Sequence, residues 1–568
     1  MTTSLRHHLL RLQKQTFLRL QQEILDQRRY EERAMRTYRN TYLEEVSSYK
    51  KISSKNILLS QCLESSIIYC GDFHTLSRAQ YTAVKIIRFL CENNKKVKLG
   101  LEMIPNSMQH WANDYVQGRI NEEDFLDCMV YEKTWGFPWE NYRPLFECAK
   151  QYQLSILGLN TSDAGYQTFA YRDKAAAKIM VKSLKKDPHT PIFCLYGDLH
   201  LASKHIPRYV AQQFKKKKMQ APPTTTVFQN SDAIYWQLAD HHTSVEADVV
   251  EVNDSQFCVL SSTPWIKWQS YQSWVEEHIT LLDEMDEGQQ WDLHYAPDYF
   301  HTVYEYAQQI AQFLNVQAKD LDDFRVFSSM DVDHAQNIES IIAQAMKRVD
   351  SSAPNMLQVE MVHNRCLFLP HQRTIYLQDG SPNRMAEKAS QWVAYCLTNH
   401  FCIYHASFTP KERFYRLVLI EMIGFFGSKI INPKRKTNHL RDWQRCLQEW
   451  YRKRLSPTQK LHKKVAQKIL QHQSHVRAYL HDEMDAGSLR GVYHQDHEPF
   501  FLTAQGIGRL MGDYLYTLVQ DERVAQLDIA ELFASLSRED QAQDTFWLLA
   551  QMLNKKRMSS QKSKDELF

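Results

Sequence analysis

Two tetrapeptides, Gly71-Asp72-Phe73-His74 and Gly197-Asp198-Leu199-His200, repeat one pattern, each at the end of an apolar run. Each supplies an imidazole, able to act as a base or bind a metal near neutral pH. Each also supplies a carboxylate, able to ligate directly or to orient the ring as its acceptor. Between them, two further apolar runs end in glycine and lead into a polar side chain: Gly100-Leu101-Glu102 and Gly158-Leu159-Asn160. Only 16 of the 568 residues are glycine, yet seven fall from Gly71 to Gly197, so their placement carries information. Glycine at a strand end lets the backbone turn sharply or approach a ligand. Open α/β sheets bind ligands just past the carboxyl ends of their strands. If the strands are parallel, both loops open at one edge, joined by Glu102 and Asn160. His74, His200 and Glu102 would then make a three-ligand N/O set for a divalent metal, with positions left for water or substrate. The same trio could instead activate water directly.

Each residue has a plainer role open to it. Aspartate after a strand is a common helix N-cap, so Asp72 and Asp198 either start the helices that follow or face the cleft. Between the second and third strands lies a stretch dense in aromatic residues, Tyr131 to Pro144, with Trp135, Trp139 and Tyr142. It suits a lid over an apolar ligand or a plug at a helix start; Tyr142 reads as core or cleft wall. Asp331, Asp333 and His334 read as a helix cap, and His241-His242 as the close of a helix. Gly506-Ile507-Gly508 lacks the preceding strand of a dinucleotide loop.

These side chains need a scaffold, and the pattern around them predicts one. Strand-like runs at 66–71, 97–102, 154–160, 191–197 and 224–229 alternate with amphipathic helical stretches, which argues for a mostly parallel sheet flanked by helices. Two further runs, 248–253 and 257–261, read as an antiparallel edge hairpin turning at Asn253-Asp254-Ser255. Three parts follow: an N-terminal helical segment (1–60), an α/β domain (61–285) and a mainly helical domain (286–568) of unassigned role. The last shows long amphipathic patterns around one β-like insertion at 357–380.

Composition closes off several classes. With 69 basic and 66 acidic residues the chain offers no global attraction for nucleic acid or membrane. No segment approaches the length of a transmembrane span; the best candidate, 416–427, carries Glu421 at its centre. No uninterrupted apolar stretch marks a signal peptide, and eleven scattered cysteines form no C-x-x-C pair, so a reducing cytoplasmic setting is expected.

From about 64 to 275 the chain resembles the ChaN-like haem-binding domain, a branch of the superfamily that also holds Tiki proteases and erythromycin esterases. The matching pieces are GDFH at 71–74 with Gln80, and LGLEM at 99–103 with Gln109 and Asp114. Then come Trp135, Trp139, Tyr142 and Pro144, GLN at 158–160, and GDLHLASKHIP at 197–207. The resemblance implies an α/β fold with its site at the strand ends. For the ChaN branch it implies haem or iron binding in an aromatic-walled cleft formed with Asp72, Trp135, Tyr142, Asn160 and Asp198, a His or Tyr supplying an axial ligand. For the hydrolase branches it implies catalysis by His74, His200 and Glu102, with Asp72 and Asp198 orienting the imidazoles and a divalent metal ion as an alternative cofactor. Two features depart from the family: the expected absence of an export signal, and a helical half with no counterpart. A third reading makes that half a docking surface for a protein partner.

Overall fold

The computed structural model describes residues 4–27, 33–161, 168–241, 243–244, 246–285, 299–318, 320–328, 353–378, 380–398, 408–451, 454–481, 489–493, 496–535 and 541–558. The expected caps at Asp331, Asp333 and His334, the helical pattern at 335–347, and His242 lie outside these residues. The chain forms two compact units: Thr16–Asp283, and Met1–Gln15 together with Glu284–Phe568.

The first unit is built on an eight-stranded sheet: β1 (Lys51–Ser53), β2 (Ile67–Asp72), β3 (Lys98–Pro105), β4 (Ile156–Asn160), β5 (Ile192–Gly197), β6 (Thr224–Gln229), β7 (Val249–Asn253) and β8 (Gln256–Val259). Their spatial order is β1-β7-β8-β6-β2-β5-β3-β4. From β4 across to β8 every neighbour pair is parallel. β2 and β5 read as unbroken apolar runs because both faces are covered, and every residue of both is buried. β7 and β8 form the expected antiparallel hairpin. Beyond it, β1 pairs with β7 as the outermost strand, from within the stretch that reads as helical. Helix Ser77–Glu92 turns Ala79, Ala83, Val84, Ile87 and Leu90 inward and packs on helix Trp139–Tyr152; helices Phe169–Lys186 and Ile206–Lys216 pack on each other.

In the second unit, helices Phe300–Leu314, Pro382–Thr398, Pro410–Ile431, Pro457–Leu480 and His497–Gln520 carry most of the core. The insertion at 357–380 is only half β. Strands β10 (Cys366–Leu369) and β11 (Thr374–Leu377) pair, and β9 (Arg325–Ser328) joins them. Residues 357–364 instead finish helix Ala353–Asn364. Leu357, Glu360, Met361 and Asn364 are the buried positions there, a helical spacing that outweighs the local alternation.

Candidate functional site at the strand ends

Register brings the predicted residues together. Asp72 lies beside Gly197 across the β2–β5 pair, and Leu101 lies beside Leu195 across β3–β5. The loop after β2, the loop after β5 and Glu102 on β3 therefore share one edge of the sheet, next to the irregularity between Leu101 and Pro105 that re-aims β3. A Cβ placed on Gly197 would lie 3.2 Å from Glu102 Oε2, 3.4 Å from His74 Nε2 and 3.5 Å from His200 Cδ2. Any side chain at that position would abut all three groups.

Glu102 is the hinge of the arrangement. Its carboxylate is 4% exposed and accepts from the Arg172 guanidinium at Oε1 and, at 2.6 Å, from the Gly197 N–H at Oε2. His74 Nε2 stands 3.9 Å from Oε2, and His200 Nε2 stands 3.9 Å from Oε1. Neither separation is a hydrogen bond.

Each imidazole is held from behind by the same kind of trio. His74 Nδ1 lies 2.9 Å from Asp72 Oδ2, and the Tyr142 hydroxyl donates to the same oxygen at 2.8 Å. Gln80 donates to Asp72 Oδ1. On the other side His200 Nδ1 lies 2.5 Å from Asp173 Oδ1, and the Tyr38 hydroxyl donates to Asp173 Oδ2 at 2.8 Å. Asp72 is thus an orienting carboxylate and no helix cap: helix Ser77–Glu92 starts after Leu76 without a side-chain cap.

Asp198 does not orient His200, as the repeat suggests it should. Its side chain instead lies over Gly71, where an added Cβ would clash with Oδ1, and that oxygen has no hydrogen-bond partner. Burial pushes Asp198 up to about 7, against the attraction of Lys267 and helped by the charge of Asp72. Asp173, on helix Phe169–Lys186, takes the orienting part.

The two imidazoles differ in setting. The His74 side chain is 22% exposed and the His200 side chain 6%. Burial opposes a charge on His74, but the charge and hydrogen bond of Asp72, with Glu102 and Asp198 adding, raise its pKa above the usual value. Burial pushes His200 down to about 3 despite Glu102, with Arg172 and His74 reinforcing the shift. Burial likewise pushes Asp173 up to about 7, against the Tyr38 hydrogen bond.

Aromatic rings line the His74 side. Trp135 and Phe137 each lie 4.7 Å from its ring, centroid to centroid. Phe137 stacks on Trp274 at 4.7 Å, and Trp274 Nε1 donates to the Gly136 carbonyl at 2.9 Å. Tyr142 is 1% exposed, a wall whose hydroxyl serves Asp72. Asn160 joins none of these groups: it pairs with Pro105 across the sheet, and its Oδ1 accepts from the N–H of Thr161 at 3.0 Å.

The sequence reading missed Tyr38, Arg172 and Asp173. Asp173 had a signal. It precedes Ala176, Ala177, Met180, Val181 and Leu184 on the buried stripe of its helix, a charge where an apolar residue belongs.

The divalent-metal expectation for His74, Glu102 and His200 finds no support. Among the described residues no group of three His, Cys, Asp or Glu side chains could hold a metal ion. At Glu102 both oxygens are already engaged, one of them by a cation. A cavity of about 260 Å³ in the helical unit, lined by Arg373, Trp392 and Tyr395 among others, holds none of the predicted site residues.

Residues 58–170 match the family described as "Haem-binding uptake, Tiki superfamily, ChaN", in agreement with the motifs quoted above. The match includes Asp72, His74, Glu102, Trp135, Tyr142 and Asn160 and stops short of Arg172, Asp173 and the second loop. A solved structure titled "Cofacial heme binding to ChaN of Campylobacter jejuni" is similar at 19% identity, covering 32% of this chain and 87% of that one, with a TM-score of 0.24. No curated protein matches the chain. No described helix is long and apolar enough to cross a membrane.

Proposed function

We propose that the α/β unit binds haem at the mouth beside His74. The observation that carries this reading is the match of residues 58–170 to a haem-binding family, because that segment holds the aromatic-lined imidazole. Haem iron takes imidazole or tyrosinate as an axial ligand. Tyr142 does not fit that part, being buried with its hydroxyl on Asp72, and the sealed ring of His200 does not fit either. His74 fits: it is the more open of the two rings, Asp72 backs its Nδ1, and its Nε2 makes no hydrogen bond. His74 would hold the iron, with Trp135 and Phe137 beside the macrocycle. Bound haem would supply redox and ligand-exchange chemistry. Asp72 favours a proton on His74, and that proton competes with iron for Nε2, so haem binding should strengthen as pH rises.

One observation favours a second reading, a hydrolase. Both Nε2 atoms face one glutamate held in place by Arg172 and the Gly197 N–H. Two imidazoles at one mouth whose pKa values are pushed apart, one raised by Asp72 and one lowered by burial, can act as acid and base on a carbonyl substrate and a water. A single pair of variants separates the readings. Under haem binding, His74→Ala alters the shifted Soret band while His200→Ala leaves it unchanged. Under hydrolysis, either variant lowers turnover of an ester or peptide panel by about 100-fold or more. A spectrum of free haem on addition to the purified chain would defeat the first reading; turnover equal in wild type and in the double variant would defeat the second.

A further inference from the structure

We propose that Tyr38 and Asp173 are positioning residues that hold His200 in one tautomer, its proton on Nδ1 and its Nε2 lone pair toward Glu102. This makes helix Arg33–Glu45 part of the site. The chemical consequence rests on the hydrolase reading above; the tautomer does not.

The contacts close a triangle. Asp173, with no exposed surface, stands 2.5 Å from His200 Nδ1 through Oδ1 and accepts from the Tyr38 hydroxyl through Oδ2 at 2.8 Å. The Tyr38 oxygen lies 2.9 Å from the same ring nitrogen. A tyrosine hydroxyl has one proton to give. Once it is spent on an ionised Asp173, the state above pH 7, only a protonated Nδ1 can satisfy both the carboxylate and the phenol oxygen. The opposite tautomer would set two lone pairs against each other in a buried pocket, a costly arrangement. Nε2 is then left as the acceptor facing Glu102.

Tyr38 is itself fixed. Its ring stacks on His205, with 3.7 Å between centroids and 2° between planes, and it leans on Phe169 at 5.0 Å. The end of its helix is tied down as well. Glu45 accepts from the Ser203 N–H at 2.7 Å, and the Ser231 hydroxyl donates to the Val46 carbonyl at 2.8 Å. Both anchors lie on loops that leave the site edge of the sheet. Neither Tyr38 nor Asp173 falls within the segment matched to the haem-binding family.

The test uses the full chain labelled with ¹⁵N at histidine, His200→Gln identifying the signal among 24 histidines. Above pH 7, with Asp173 ionised, wild type should show a neutral His200 protonated at Nδ1. Asp173→Asn should lower the ratio of Nδ1–H to Nε2–H forms about tenfold, as expected for one lost charge-assisted hydrogen bond. Tyr38→Phe keeps the ring stack, so the fold is preserved, and should move the ratio in the same direction by a smaller factor. A wild-type ring protonated at Nε2, or a ratio unchanged in both variants, would overturn the inference. Ester turnover measured on the same samples keeps the two ideas apart. A shifted tautomer with turnover absent throughout retires the hydrolase reading and leaves the positioning role standing.

Discussion

The His74 half and the His200 half of the site use the same three side-chain types, histidine, aspartate and tyrosine, in opposite settings. On the His74 side all three come from one continuous stretch, residues 72–142, and the ring is partly open beneath Trp135 and Phe137. On the His200 side they come from helix Arg33–Glu45, helix Phe169–Lys186 and the β5 loop, and the ring is sealed. Equal ligand sets do not give equal chemistry. Asp72 overcomes burial and raises the pKa of one imidazole, while burial pushes the other down to about 3.

The largest effect should come from the group both halves share. Arg172→Ala leaves the Glu102 carboxylate buried without its cation, and a loss of about 3–5 kcal/mol is expected from urea unfolding. Adding Glu102→Ala should return part of it. If the single variant costs under about 1 kcal/mol, the halves are not joined through a buried ion pair.

The next effect separates the halves by pH. Folding favours protonated His74, so its contribution is present below the unfolded value of about 6.5 and is lost as pH rises through the higher folded value. His200 runs the other way. Between about 6.5 and 3 only the unfolded chain takes its proton, so stability falls as pH falls. Asp173, protonated in the fold up to about 7, offsets that loss because folding favours its neutral form at low pH. Asp173→Asn should therefore cost about 1–3 kcal/mol near neutrality, and the deficit should grow from pH 7 to pH 5. The stability gap between wild type and His74→Gln should widen over the same fall in pH, while the gap for His200→Gln narrows. Parallel pH profiles for the two histidine variants would show that the halves are electrostatically alike.

The smallest effect belongs to the open side alone. Trp274→Phe removes the hydrogen bond to Gly136 while keeping a ring against Phe137, and should cost about 0.5–1.5 kcal/mol. The histidine resonance of His74 should shift and that of His200 should stay in place. Movement of both signals would mean that the aromatic cover spans the whole site.

The same contrast explains how much could be read in advance. Buried parallel strands announce themselves as short apolar runs, and the glycines at their ends marked where side chains would gather, so the sheet, the two loops and Glu102 were legible. The partner of His74 was local, two residues away. The partners of His200 lie 27 and 162 residues away, on helices whose pairing with the β5 loop no local pattern encodes. Repetition of the loop motif misled at one point: it assigned Asp198 the part that Asp173 plays, because the second loop tightens into a 3-10 turn that carries Asp198 over Gly71. In the helical unit the sequence showed amphipathic faces but not what they enclose. Glu421, which first reads only as a charge breaking an apolar run, is buried with Arg509, Gln505 and Asn364 around it. Such a network depends on three helices meeting, which periodicity within each cannot report.

Strand β1 and Tyr38 both precede residue 58, where the family match begins. A fragment cut at that boundary would bare the outer edge of β7 to intermolecular pairing and would unfasten one imidazole from its scaffold. The smallest self-sufficient piece of this half must therefore start upstream of Tyr38, and trimming by homology alone would yield a sticky, miswired product.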